Sequence, residues 1–411
     1  MSGRGDALAT LREPNFRFYF LSRLVNGAGS TMAGVALAFA VLEVSNSPTA
    51  LGIVLAAESI PLVLFLLVGG VIADRFGRTL VLQVTNVAAG LTQLAVAGLV
   101  ISGAAELWQL VVLSALSGTA MAISFPALAS VMPQLVPREQ LQPANVLMSM
   151  QRGTLNVIGP TIAGVLVVTV GPGWAVAVDG VTYLVAAALL TLVRIPPPPP
   201  RTEQVSMVDE LREGWHYFRS TTWLWVIVAA FGVLNALHSA FNTLGPVLAL
   251  RTSIGEAGWG LVLSSGAVGL LVTTVVMLRV PLRRPLLWGM VGCTLYGVPM
   301  AVLGVHPHVV AAMLAVFVGG AGIEVFSLGW SLAMQEHVPD EMLSRAYSYD
   351  ALGSFVAIPV GQLAIGPIGA VFGVRETLLV CGALYVVICL ATLGSRSVRD
   401  LQRADAAASV T

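Results

Sequence analysis

Long apolar stretches alternate with short polar breaks along the whole chain. The stretches fall at residues 18–42, 50–73, 80–101, 108–132, 144–170, 174–193, 223–250, 259–280, 286–305, 309–334, 346–372 and 377–393. A helix needs roughly 20 apolar residues to cross a bilayer, and each stretch is near that length. The pattern predicts an all-α polytopic membrane protein with twelve transmembrane helices, spans 1 to 12. Trp108, Trp174, Trp223, Trp225, Trp259 and Trp288 stand at run ends, where an aromatic belt meets the headgroups.

Composition excludes a water-soluble globular protein. Of 411 residues, 56% are hydrophobic and 10% charged, against about 25% charged in ordinary usage. The net charge is zero, so the distribution carries the information. All 21 basic residues are Arg. With a cytosolic N-terminus, only Arg251 and Arg375 fall in external loops, while the other loop arginines gather at the cytosolic face. That asymmetry predicts a multi-pass cytoplasmic-membrane protein with both termini inside. Cys293, Cys381 and Cys389 lie in apolar runs and imply no disulfide framework. The first span lacks a small-residue cleavage site and is expected to be retained. External turns such as 44–49 and 306–308 leave no room for an extracellular domain.

The longest polar segment divides six spans from six. Residues 1–193 are expected to form an N-terminal six-helix bundle, 194–222 a cytosolic linker, 223–395 a C-terminal six-helix bundle and 396–411 a cytosolic tail. The linker opens with Pro196 to Pro200, an extended semi-rigid spacer. Behind it Val208, Leu211, Trp215 and Phe218 recur at helical spacing, with Asp209, Arg212, Glu213 and Arg219 on other faces. This predicts an amphipathic helix on the inner leaflet; the alternative is a solvated linker. The halves share traces of duplication. The segments starting at Val136-Pro137 and Val338-Pro339 are 202 residues apart, and at the same offset Ala144, Gly159 and Gly164 meet Ala346, Gly361 and Gly366. Parallel repeats of this kind support rocking-bundle transport.

No glycine-rich phosphate loop, Cys/His metal spacing or nucleophilic triad is present, so neither an enzyme, a metal site nor a cofactor is expected. The informative residues are ionisable ones within spans: Arg23, Glu58, Arg152, Asp179, Glu324 and Asp350. Each costs about 2.5–3.5 kcal/mol at mid-bilayer on insertion scales, so they must face a cavity, pair, or approach an interface. Glu58 and Glu324 are the preferred proton carriers, since a carboxyl shielded from water can load and release a proton. Asp179 and Asp350 are further candidates, the former interfacial by its position in span 6, the latter structural together with Arg152. Helical spacing places Arg23, Asn26 and Ser30 on one face of span 1. It does the same for Asn235, His238 and Asn242 on span 7, and for Glu324, Ser327, Ser331 and Gln335 on span 10. Span 4 offers Met121 and Phe125, with Gly118 and Pro126, as an apolar face. Such polar residues also bond helices together, and that reading stays open for each stripe.

The sharpest break in the first half is residues 70–78, where Gly70, Asp74, Arg75, Gly77 and Arg78 fit G-x-x-x-D-R-x-G-R. The segment resembles the loop between helices 2 and 3 of the major facilitator superfamily. The resemblance covers the whole chain, and Leu211-Arg212-Glu213-Gly214-Trp215 looks like the branch containing macrolide efflux proteins and enterobactin exporters. It implies that Asp74, Arg75 and Arg78 latch the cytosolic side against the start of span 11, near Ser344-Arg345. It also implies that spans 1, 4, 7 and 10 line a cavity. The cavity candidates are then Arg23, Asn26, Ser30, Met121, Phe125, Arg152, Asn235, His238, Asn242, Ser327 and Ser331, which suit an amphipathic organic solute. Gly159, Pro160 and Gly164 resemble the antiporter motif of span 5, though Leu155 and Ala163 replace two of its glycines. The span 4 arginine common in proton-coupled drug antiporters is missing, with Ala115 near its place, and the loop at 279–284 keeps charge but not the Asp and Gly pattern. The resemblance implies a monomeric exporter exchanging an amphipathic small molecule for protons across the lipid bilayer, with no nucleic-acid partner. An importer or symporter of the same fold, or a membrane sensor without transport, remains the alternative.

Overall fold

The computed structural model describes residues 10–403 apart from 138–139, 195–206, 278 and 281. The Pro196 to Pro200 spacer lies outside the described residues. Among the described residues every regular element is a helix, and twelve are long and apolar enough to cross a membrane. Span 1 is Pro14–Ser45, span 2 Pro48–Phe76, span 3 Arg78–Ile101, span 4 Leu107–Val131, span 5 Leu141–Val170 and span 6 Pro172–Leu190. A linker helix, Met207–Ser220, precedes span 7, Thr222–Leu250. Span 8 is Gly255–Met277, span 9 Pro285–Val305, span 10 Val309–His337, span 11 Asp340–Phe355 continued by Ala357–Phe372, and span 12 Val374–Thr392.

Proline and glycine set where these helices start, turn and break. Pro14, Pro172 and Pro285 open their helices, where a missing N–H costs nothing. The segment at 70–78 is not an extended loop: helix runs through Gly70 and Asp74 to Phe76, and only Gly77 leaves it, at φ +87°. That left-handed value suits a residue without Cβ. Spans 9 and 11 are interrupted for one shared reason. Pro299 cannot donate to Leu295, where span 9 tightens into a 3₁₀ turn, and Pro359 cannot donate to Phe355, where the first half of span 11 ends. The helix of span 11 starts at Asp340 after Pro339, so Ser344 and Arg345 lie in its second turn and not at its start.

The chain divides into two compact units: residues 1–200 with 256–264, and residues 201–255 with 265–411. In the first, Phe16, Tyr19, Leu82, Ala127, Val131 and Leu190 belong to one buried cluster. Glycines let backbones touch. A Cβ on Gly118 of span 4 would lie 2.0 Å from the Glu58 carbonyl oxygen of span 2, and one on Gly159 of span 5 would lie 2.1 Å from Thr31 Oγ1 of span 1. In the second unit, Gly361 of span 11 stands in the same relation to span 7, 2.3 Å from the Ala236 carbonyl oxygen, and Gly320 of span 10 to span 8, 2.1 Å from that of Gly266. Trp223 and Trp259 are buried, so they are packing residues and not part of an aromatic belt; Trp108, Trp174, Trp225 and Trp288 are exposed.

Candidate solute and proton site

The first unit gathers most of its polar span residues in one place. Arg23 Nη1 donates to Asn26 Oδ1 at 2.9 Å, one turn along span 1. That bond occupies the amide oxygen of Asn26, leaving its Nδ2 as the open atom, and Nδ2 is buried without a hydrogen-bond partner. Among the described residues Arg23 makes no ion pair. A donor-bearing cation and an unsatisfied amide N–H thus share a cavity of about 160 Å³, also lined by Ser30, Asn86, Met121 and Tyr183. A cavity of roughly this size holds a single six-membered ring, so it accepts the head of a solute and not a whole drug-sized molecule.

Behind the cavity stands Asp179, fully buried at 0% exposure. Its depth along span 6 suggested an interfacial group; rotation of the helix instead turns the carboxyl inward. Ser30 Oγ approaches Asp179 Oδ1 at 3.5 Å, and Oδ2 has no partner. Glu58, on span 2, is close enough for its charge to act on Asp179. Tyr183, one turn further along span 6, meets Ser30 and feels the charges of Asp179, Glu58 and Arg23. The structure therefore joins Arg23, Asn26, Ser30, Met121, Glu58 and Asp179. Arg152 and Phe125 are exposed and do not line this cavity, although the charge of Arg152 reaches Tyr19.

Tyr183 and Asn86 were not singled out from the sequence. Tyr183 follows Asp179 by four residues, a spacing that puts them on one face, so the signal was present. Asn86 in span 3 was a lone polar residue with no stripe to mark it.

The second unit is more dispersed. Asn235 Nδ2 donates to the Ser354 carbonyl at 2.8 Å, one of the acceptors freed where span 11 breaks. His238 Nε2 meets Tyr296 Oη at 3.2 Å with the rings 4.5 Å apart, and its Nδ1 is buried without a partner. Asn242 and Ser327 are exposed and Ser331 is half-buried. Glu324, 9% exposed, accepts a bond from Thr274 Oγ1 of span 8 at 2.7 Å. Asp350 receives Trp330 Nε1 at 3.0 Å and Ser354 Oγ at 3.2 Å, one neutral donor for each oxygen. The stripe on span 10 is thus split among different surroundings. No group of three or more His, Cys, Asp or Glu is placed to hold a metal among the described residues.

Of the segment at 70–78, Arg75 is exposed and lies over the Phe76 ring at 5.8 Å. The side chain of Asp74 lies outside the described ones, as does that of Arg345 in the second turn of span 11. Gly159 packs on Thr31, while the Pro160 carbonyl and Gly164 meet residues 256–264: a Cβ on Gly260 would lie 2.2 Å from Pro160 O, and one on Gly164 2.8 Å from Glu256 O. Thr161 and Ser264 hydroxyls close the same contact at 2.7 Å. The span 5 residues are therefore packing residues in this structure.

The family model of the Major Facilitator Superfamily matches residues 19–361. The chain belongs to this superfamily. Among curated proteins it is similar to the enterobactin exporter EntS of Citrobacter koseri, 25% identical over 383 residues that cover 92% of this chain and 90% of that protein. Among solved structures it resembles the nucleoside transporter NupG, with a TM-score of 0.74 at 11% identity over 92% of this chain and 98% of the other. The D-xylose-proton symporter matches with a TM-score of 0.70 at 13% identity, covering 92% and 97%. At such identities the structural likeness establishes the fold alone, and the fold serves solutes as different as a nucleoside and D-xylose. The protein is a multi-pass membrane transporter of small molecules, and not an enzyme.

Proposed function

We propose that this transporter exports an amphipathic small molecule across the cytoplasmic membrane by alternating access, in exchange for protons, as a monomer with both termini cytosolic. One observation carries the coupling: Asp179, without exposure and with an unbonded oxygen, beside Glu58 and behind the cavity of Arg23 and Asn26. A buried carboxylate without a counter-ion is costly, and taking up a proton relieves that cost. Ser30 and Tyr183 line the cavity and Ser30 also reaches Asp179, so a solute head at Arg23 and Asn26 acts on the proton through Ser30. The head that fits presents hydrogen-bond acceptors, since the cavity offers it a guanidinium and an open amide N–H. Outward direction is supported by the full-length similarity to proteins named as exporters. The turn at Gly77 with Gly70, Asp74, Arg75 and Arg78 is assigned as the conformational latch, and Glu324, held by Thr274, as a second proton carrier.

Acidified inverted vesicles test this reading, with a pH dye followed as antibiotics, dyes and siderophores are added. Solute-triggered proton release is expected, reduced in Glu324→Gln and lost in Glu58→Gln and Asp179→Asn. Loss in Glu324→Gln alone would move the proton to span 10. Solute binding with no release in any variant would replace exchange by uniport or sensing.

A further inference from the structure

The linker helix has two faces with different chemistry. Arg212, His216 and Arg219 recur at spacings of four and three and are all exposed. Trp215 and Phe218 stack on each other at 5.7 Å, and each ring lies 5.7 Å from that of Tyr349 in span 11. Tyr217 Oη donates to the His337 carbonyl at 3.4 Å. The helix is thus fastened to span 11 and to the end of span 10 by its aromatic face, leaving Arg212 and His216 outward.

Beneath it runs a groove of about 780 Å³ between the linker helix, span 7 and span 11. Its floor forms where the two spans touch: a Cβ on Gly353 would lie 2.4 Å from Val228 Cγ1, and one on Gly232 3.0 Å from the Gly353 carbonyl oxygen. Its walls carry Trp225, Leu352 and Val356, which are 42%, 44% and 51% exposed. Such apolar surface beside membrane spans is solvated by acyl chains and not by water. Arg219 is the one charged residue lining the groove among those described, and it makes no ion pair or hydrogen bond among them. A flexible stem lets an Arg of this kind lie along apolar surface with its head at the interface, and its planar donors match phosphate oxygens.

We propose that the groove is a binding site for an anionic phospholipid, one acyl chain lying between spans 7 and 11 and the phosphate paired with Arg219. Arg212, two turns back on the same face, adds a second positive charge, and the pair selects a net negative headgroup over a zwitterionic one whose own cation opposes the pairing. The site fixes the linker helix to the bilayer surface at the start of span 7.

Native mass spectrometry of the full chain, delipidated and titrated with phosphatidylglycerol or phosphatidylcholine of identical chains, tests this. One phosphatidylglycerol is expected to bind in preference to phosphatidylcholine. Arg219→Gln should weaken it by about fivefold, the factor for one basic residue at an anionic surface, while Arg251→Gln leaves it unchanged. Val356→Trp, at an exposed position, should remove binding of both lipids by filling the groove, with the lipid-free thermal midpoint confirming the fold. Equal binding of the two lipids, or phosphatidylglycerol binding indifferent to Arg219→Gln, would overturn the headgroup assignment. Binding indifferent to Val356→Trp would overturn the groove, leaving residues 195–206 or a solute as its occupant.

Discussion

Gly29 leaves no room beside the buried carboxyl of span 6. A Cβ there would fall 2.0 Å from Thr182 Oγ1, 2.7 Å from Asp179 Oδ1 and 2.8 Å from Asp179 Cα. Backbone and a fixed side chain cannot both retreat, so Gly29→Ala should push spans 1 and 6 apart. Overpacking of this kind costs about 1–3 kcal/mol, visible as a lower thermal midpoint in detergent. Because the displaced atoms include Asp179, solute-triggered proton release should fall further than in a similarly overpacked variant remote from the site, such as Gly361→Ala, whose Cβ would meet the Ala236 backbone. Equal losses in the two variants would count against a functional role for Asp179. The sequence made half of this cluster legible. Arg23, Asn26 and Ser30 declare themselves by spacing alone, since three and four residues return to one helix face. Distance from the end of span 6 says how deep Asp179 lies but not which way it turns; its neighbours on spans 1 and 2 settle that.

Helix breaks decide the role of Asn235. Sequence spacing grouped it with His238 and Asn242 as a polar face of span 7, but the three meet different surroundings: a broken helix, a tyrosine ring and open surface. Span 11 breaks after Phe355, which leaves the Ser354 carbonyl among the acceptors of a helix end, and Asn235 supplies it a donor at 2.8 Å. Buried backbone acceptors are nearly always satisfied. Asn235→Leu should therefore cost about 1–3 kcal/mol of stability, the price of an orphaned buried group, with solute affinity unchanged once the protein is folded. Thermal unfolding and solute binding on the same preparations separate the possibilities. A variant of full stability with weakened binding would return Asn235 to the solute cavity. The prolines behind both broken spans were visible in the sequence, but their consequence was not, because Pro61, Pro126 and Pro160 sit inside helices that continue. Whether a proline breaks or merely bends a span depends on which neighbour can take up the freed carbonyl.

At the scale of the whole chain, duplication and charge were the most legible features. Gly159 and Gly361, matched by an offset of 202 in sequence, do the same work in their own units, seating span 5 on span 1 and span 11 on span 7. The proposed orientation rests on the arginines, and the two that it would place outside have a local reason to be where they are. Arg375 donates to the Gly304 and Val305 carbonyls at the end of span 9, at 3.1 and 2.9 Å, and Arg251 stands at the C-terminus of span 7. Cations are favoured at both places by the helix dipole, so neither needs an anionic leaflet to hold it. This makes the proposed topology sharp enough to test by labelling. The native cysteines Cys293, Cys381 and Cys389 are all buried, so an introduced thiol reports above a low background. Gly103→Cys, in the turn after span 3, should react with a membrane-impermeant maleimide added to intact cells, since Gly103 is exposed. Ser395→Cys, after span 12, should react only in inverted vesicles. Its local hydrogen bond to Ser397 is weak enough that cysteine there leaves the fold intact. Reversal of the two patterns would place the termini outside. The arginine-rich turns would then lie on the wrong face for the latch, and movement of solute out of the cell could no longer be read from movement into inverted vesicles.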